Sequence, residues 1–243
     1  ESSNSWGAVK TCRECLGGGT GDPIQDWAKR VVDFGGAAIS TTTSNGLRTF
    51  WQGLDTDATL YSMVSLNTFV PDNLTAARLP LIWQAGNMIW TNVAFGTTNL
   101  TVNGLTGNGS TKYLGTGLNP AALLARNFGT ASAGISLLIF NTPSSAANMS
   151  EFGGSGTVAN SLFSQQIQVG LLPFYCWRFT TVNTDFVTRA VPVTNYAGFL
   201  SGNRTANNAI ALYWVTNGVF NIATNATGVQ ASSAATITNM YAF

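Results

Sequence analysis

The chain has 243 residues, of which only 9% are charged, with 11 Lys+Arg against 10 Asp+Glu, a formal net charge of +1 and no histidine. An ordinary soluble domain carries about 25% charged residues. Without histidine, Ser–His–Asp and Cys–His nucleophile arrangements and His-ligated metal centres are excluded, and a net charge near zero leaves no electrostatic footprint for nucleic acid. The missing charge is replaced by Thr, Asn, Ser and 26 Gly, while 45% apolar and 11% aromatic residues supply a core. That is the composition of a loop-rich, mainly β protein. The longest apolar runs, such as Gly134–Phe140, fall far short of the roughly 20 residues of a membrane-spanning helix, so membrane insertion is not expected.

Charge divides the chain before period does. Eight of the ten acidic residues lie at or before Asp72, and only Glu151 and Asp185 follow. Residues 1–21 read as a flexible arm, ending in Gly17-Gly18-Gly19-Thr20-Gly21. Residues 22–80 read as a small helical subdomain. Asp22-Pro23 looks like an N-cap followed by proline at the first helical position, and Gly35-Gly36 stops the helix. Ile24, Trp27, Val31 and Phe34 fall on its apolar side. A second helix is expected from Ser44 to about Leu54, with Leu47, Trp51 and Leu54 on one face. Asp72 is the expected cap of a short third helix ending before Pro80.

From Leu81 onward, short runs bounded by turn residues every 8–12 positions give the pattern of a sandwich or barrel. Strands are expected at Met88–Phe95, Asn99–Val102, Thr111–Leu114, Gly134–Phe140, Ser161–Val169, Phe174–Thr181, Asp185–Val191, Gly198–Ser201, Ala209–Val215, Val219–Ala223 and Thr236–Ala242. Asn217-Gly218 is a strong hairpin signal, because a tight turn of this kind needs positive φ. Pro120–Arg126 is the one stretch in this region expected to form a turn of helix. The fold class is therefore mainly β: an antiparallel β-sandwich over residues 81–243, preceded by the helical subdomain.

Three stretches carry a family likeness. Gly107-Asn108-Gly109-Ser110-Thr111-Lys112-Tyr113-Leu114-Gly115-Thr116-Gly117 resembles the G-x-G-x-x-x-Y-L-x-T-G segment of concanavalin A-like, laminin-G-type jelly rolls, in the variant found in phage virion proteins and related bacterial proteins. Gly198-Phe199-Leu200-Ser201-Gly202-Asn203-Arg204-Thr205 is similar to that group's G-F-L-x-G-x-R-T segment. Met240-Tyr241-Ala242-Phe243 is similar to its late Y-x-F-A strand. The resemblance implies a concanavalin-like jelly roll and a structural or attachment role on a virion, as a capsid decoration, head fibre or tail-fibre module. It also implies a homo-oligomer, trimer or dimer, among other virion proteins. A secreted or cell-surface carbohydrate-binding module is the alternative. Relatives usually continue past the equivalent of Phe243, so the sheet is expected to be completed by more chain or by a neighbouring subunit.

The residues offer little for catalysis. Glycoside hydrolysis needs two carboxylates flanking one bond, and the β region holds only Glu151 and Asp185, on different expected elements. No cofactor or metal is expected, because hard cations want more carboxylates than this region has. Metal-free glycan contact uses aromatic faces and planar polar groups, and the candidates are Tyr175, Trp177, Asn203, Arg204, Tyr213 and Trp214. Asn203 and Arg204 are expected in a turn. Tyr175 and Trp177 share one face of their strand and Cys176 takes the other, while Tyr213 and Trp214 must point oppositely; Trp177 and Trp214 equally suit core anchors. Cys12 and Cys15 form a C-x-x-C, readable as a small disulfide, as free thiols on a mobile arm, or as an intersubunit link. Six N-x-S/T sequons begin at Asn73, Asn99, Asn108, Asn148, Asn203 and Asn225, and the virion resemblance implies that they are unmodified.

Overall fold

A computed structural model describes residues 21–57, 59–108, 111–119, 133–140, 149–155, 162–168, 174–180, 187–190, 198–206, 209–216, 218–225 and 240–242. They belong to two compact units. The described parts of Glu1–Trp90 and Gly96–Thr106 form the first, and those of Thr91–Phe95 and Gly107–Phe243 the second. The division lies later than the Pro80–Leu81 boundary expected from sequence: residues 81–90 and 96–106 join the helices. The expected features at Cys12, Cys15 and Pro120–Arg126 lie outside the described residues. Among the described residues, no helix is long and apolar enough to cross a membrane.

The first unit is built on three capped helices. Helix α1 (Pro23–Asp33) starts where the Asp22 carboxylate accepts the Ile24 N–H at 2.9 Å. It stops where Gly35, at φ +80°, turns back so that its N–H and that of Gly36 reach the carbonyls of Val32 and Val31; only glycine takes that backbone freely. Helix α2 (Thr41–Thr56) begins three residues before the expected Ser44, because Ser40 caps it through its hydroxyl, which accepts the Thr43 N–H at 3.1 Å. Helix α3 (Leu74–Arg78) is capped by Asn73 rather than by Asp72: the Asn73 side chain accepts the Ala76 N–H and donates to the Ala37 carbonyl, both at 2.9 Å. Asp72 instead accepts from the Ser40 N–H and the Thr43 hydroxyl, placing a carboxylate at the positive end of α2.

Ile24, Trp27 and Val31 of α1 pack with Leu47, Val70, Ala76, Leu79 and Leu81 in one core. Trp27 is fully buried, and its indole N–H donates to the Leu79 carbonyl at 2.9 Å. Two small antiparallel pairs complete the unit, β1 (Ser65–Leu66) with β2 (Ile82–Trp83) and β4 (Leu100–Thr101) with β5 (Gly104–Leu105).

The second unit is all antiparallel sheet. Its larger sheet has seven strands, β3 (Thr91–Val93), β6 (Tyr113–Gly115), β8 (Met149–Ser155), β9 (Leu162–Gln168), β10 (Phe174–Thr180), β11 (Val187–Ala190) and β15 (Tyr241–Ala242), in the order β11-β10-β9-β8-β15-β6-β3. The smaller has four, β7 (Ala133–Ile139), β12 (Gly198–Ala206), β13 (Ala209–Thr216) and β14 (Val219–Asn225), in the order β14-β13-β12-β7. Strands β10 and β11 of the larger sheet lie against β12, β13 and β14 of the smaller. The chain is thus mainly β, with four antiparallel sheets counting the two small pairs.

Three local features shape these sheets. Strand β12 runs through Asn203 and Arg204, where a turn was expected, because β7 and β13 pair with it on both sides as far as Arg204; its ladder with β13 shifts register only between Arg204 and Ala206. The expected hairpin holds: Thr216 pairs with Val219, and Gly218 has φ +75°. Strand β15 sits between β6 and β8, tied by Thr116, which is fully buried and whose hydroxyl donates to the Met240 carbonyl at 2.8 Å.

Candidate functional site

The four-stranded sheet sorts its residues into two faces, and cross-strand partners share a face. On one face, Leu137, Leu200, Trp214 and Asn221 form a row across all four strands, as do Ile135, Gly202, Leu212 and Ala223. This face is the core: Leu212 and Ile210 are fully buried, Leu200 is 1% exposed and Trp214 5%. On the other face, Ser136, Ser201, Tyr213 and Ile222 form a row across the sheet, flanked by Leu138 opposite Phe199 and by Val215 opposite Phe220.

That second face is open. Leu138 is 62% exposed, Phe220 61% and Ile222 54%, and Phe140 just beyond β7 is 56%. Tyr213 is half-buried, and its ring lies 5.7 Å from that of Phe220 at a 31° tilt. Polar groups are interleaved. The hydroxyls of Ser136 and Ser201 share a hydrogen bond of 2.8 Å, and Asn203 is half-buried beside Gly134 in the next row. No position of this face among the described strands carries a charge. Between these exposed residues the middle of the face is closed, with Ser201 at 6% and Ala211 at 2% exposure.

The six residues proposed from sequence do not form one site. Tyr213 and Asn203 stand on the open face. Trp214 and Arg204 stand on the core face, at 5% and 2% exposure, so neither reaches a surface ligand. The reason is the pleat: Tyr213 and Trp214 are successive residues, and once the sheet buries one it exposes the other. Burial also pushes the Arg204 guanidinium below its ordinary pKa. Tyr175 and Trp177 lie on β10 of the other sheet, where Tyr175 pairs with Ile167 and Arg189 and Trp177 with Gln165 and Val187. Sequence reasoning missed Leu138, Phe199, Phe220 and Ile222 as surface residues. The alternation of Phe220 and Ile222 with Asn221 and Ala223 was a visible signal, but alternation tells which residues share a face and not which face meets water.

Other polar clusters are engaged by the chain itself. A cleft of about 470 Å³ in the helical unit is lined by Lys29, Ser40, Ser44 and Arg48, among others. Arg48 makes a forked contact to the Asp22 carboxylate at 2.9 and 3.0 Å, and Lys29 bonds Asp33 at 2.6 Å. Burial raises the pKa of Asp22, but bonds from Arg48 and the Ile24 and Gln25 N–H groups outweigh it and hold the carboxyl below its ordinary value. Asp72 is likewise held low: bonds from Thr43 and Ser40 outweigh its burial. Of the sequon residues, Asn73, Asn99 and Asn108 have their side chains committed to nearby backbone N–H groups, as a helix cap or a tight turn. Glu151 lies on β8 and Asp185 outside the described residues. Among the described residues, no group of three or more Cys, Asp or Glu side chains is placed to hold a metal ion. Comparison of the chain with family models, with curated proteins and with solved structures finds no match.

Proposed function

We propose that the chain is a non-enzymatic structural or attachment protein of a virion, its β unit a concanavalin-like jelly roll that meets its target through the open face of the four-stranded sheet. The observation that carries this reading is that face: no charge among its described positions, with Tyr213 against Phe220 and with Ser136, Ser201 and Asn203 on β7 and β12 at the side of Tyr213 away from Phe220. An aromatic platform with hydroxyl and amide groups beside it suits the faces and edges of a sugar ring. The resemblance of residues 107–117 and 198–205 to virion jelly rolls supports the setting. The seven- and four-stranded antiparallel sheets that lie against each other are compatible with that fold. The scarcity of carboxylates supports binding rather than hydrolysis.

The test has two parts. Particles are purified and probed for the protein, and the isolated protein is screened on a glycan array beside Tyr213→Ala. The reading expects particle association and glycan binding that drops at least tenfold in the variant. Binding without particle association moves the protein to the alternative, a secreted or cell-surface carbohydrate-binding module. Particle association without glycan binding leaves a structural role and removes the lectin-like part.

A further inference from the structure

The chain enters α1 through a peptide bond with a chemistry of its own. Of the seven prolines in the sequence, Pro23 is the one that follows an aspartate. An Asp–Pro bond carries its own nucleophile: an oxygen of the Asp carboxyl can reach the carbonyl carbon of the same residue and close a five-membered ring, with the advantage of an intramolecular attack. The leaving group suits that attack, because the proline nitrogen belongs to a tertiary amide with no N–H and is more easily protonated than a secondary one.

The fold holds the nucleophile away. Asp22 Oδ1 accepts the N–H groups of Ile24 at 2.9 Å and Gln25 at 3.4 Å, as the cap of α1. Oδ2 accepts from Nε and Nη2 of Arg48 on α2 at 3.0 and 2.9 Å. One oxygen is thus engaged by α1 and the other by α2. The carbonyl under attack is fixed as well, because it accepts the Asp26 N–H at 3.1 Å. Arg48 is the charged group that faces Asp22 from α2, and Asp26 lies one turn along α1. Burial raises the Asp22 pKa, but the bonds from Arg48, Ile24 and Gln25 outweigh it and hold the carboxyl below its ordinary value. The carboxylate therefore stays charged and clamped at about pH 3.9, where a free Asp is half protonated, and lets go as pH falls through its lower folded value.

We infer that Asp22–Pro23 is an acid-triggered cleavage site that releases residues 1–22, and that Arg48 sets the acidity at which it opens. In the step, a side-chain oxygen of Asp22 bonds to the Asp22 carbonyl carbon and the C–N bond to Pro23 breaks. The proline nitrogen leaves with the proton that the carboxyl gives up. Water then opens the cyclic anhydride, so that one piece ends at Asp22 and the other starts at Pro23 with a free amine; the net change is hydrolysis. The cut runs one way. Asp22 departs with the first piece, so α1 loses its cap and Arg48 its carboxylate, and a protonated amine stands at the positive end of α1. Cys12 and Cys15 leave in the same piece.

The test incubates the whole chain at about pH 2.5, 4 and 7, on both sides of the ordinary Asp value, and follows the products by mass spectrometry. Wild type is expected to yield residues 1–22 and 23–243 at the lowest pH and to stay intact at neutrality. Asp22→Glu keeps the charge but must close a six-membered ring, and is expected to be cut roughly tenfold more slowly or less. At the middle pH, Arg48→Gln is expected to be cut roughly fivefold faster than wild type, because its carboxyl protonates earlier and is unclamped. In guanidinium, where neither chain is folded, the two rates should coincide. Asp72→Asn loosens the start of α2 without touching the fork, and is expected to keep the wild-type rate. Circular dichroism checks that the variants are folded; if Arg48→Gln is not, wild type with and without guanidinium at the middle pH decides alone, and slower cleavage of the folded chain is the expected result. No cut at the lowest pH, cleavage of wild type as fast folded as in guanidinium, a folded Arg48→Gln no faster than wild type, or Asp72→Asn as fast as Arg48→Gln overturns the inference.

Discussion

The helical unit and the four-stranded sheet answer the same shortage of charge in opposite ways. In the helical unit, nearly every polar side chain with a role serves the chain's own backbone. Asp22, Ser40 and Asn73 cap helices, the Trp27 indole holds the Leu79 carbonyl, and Arg78 donates to the Trp90 carbonyl at 2.9 Å. Its apolar residues turn inward around Trp27. In the four-stranded sheet the ladders satisfy the backbone of the inner strands β12 and β13, so the side chains there are free of that duty. What the open face presents is Leu138, Phe199, Phe220 and Ile222, with the bond between Ser136 and Ser201 among them. Polar groups serve where helix ends need them, and on the open face apolar groups are left outward.

By that contrast, the largest loss comes from removing the anchor of the helical core. Trp27→Ala deletes a fully buried indole and its hydrogen bond to Leu79, and is expected to destabilise that unit by about 3–5 kcal/mol. Denaturant unfolding followed by the fluorescence of the remaining tryptophans measures it; a change below about 1 kcal/mol, the size of an ordinary substitution, removes Trp27 from its place as anchor. The neighbouring pair in the sheet sharpens the comparison. Leu212→Ala empties a fully buried site and is expected to lower stability by about 2–5 kcal/mol. Tyr213→Ala, one residue along and on the open face, is expected to change stability by less than about 1 kcal/mol while lowering the proposed glycan binding at least tenfold. Equal stability effects from the two would mean that the open face is covered.

Much of this fold is legible in the sequence. The Asp22-Pro23 start and Gly35-Gly36 stop of α1, the Asn217-Gly218 hairpin and most long strands rest on local chemistry, which a sequence displays directly. Strand β8 was not seen, because Glu151, Gly153 and Gly154 break its apolar pattern; it forms through pairing with β9 and β15 on either side. Asn203 and Arg204 looked like a turn for the same reason, and partners on both sides draw them into β12. Asp72 looked like a cap because it precedes the helix, but Asn73 is one residue nearer and Asp72 is taken by α2. The candidate site was half legible. The opposition of Tyr213 and Trp214 follows from strand geometry alone, but which of them faces water depends on where the other sheet lies. That is a tertiary fact with no local signature.

The smallest expected effect tests the polar side of the comparison. Asp72 and Asp22 are both held below the ordinary carboxylate pKa in the folded chain. A carboxylate with a depressed folded pKa contributes stability that is fully present above its unfolded value of about 3.9 and is lost as pH falls through the folded value. Asp72→Asn keeps the shape but removes the charge at the start of α2. It is expected to lower stability by about 1 kcal/mol at pH 7, the size of a cap or a charge-assisted bond. Below both pKa values the wild-type carboxyl is protonated too, so the gap between wild type and variant should close by about pH 2, whereas the gap for Leu212→Ala should persist with little change across the same range. Urea unfolding at about pH 7, 4 and 2 measures both. A gap for Asp72→Asn that stays constant with pH means that the amide fails through geometry rather than charge, and the macrodipole has no part in holding α2. A gap that closes ties acid sensitivity to the helical unit, where six of the ten carboxylates of the sequence lie between Asp22 and Asp72, and leaves the sheets to hydrophobic burial, which does not titrate.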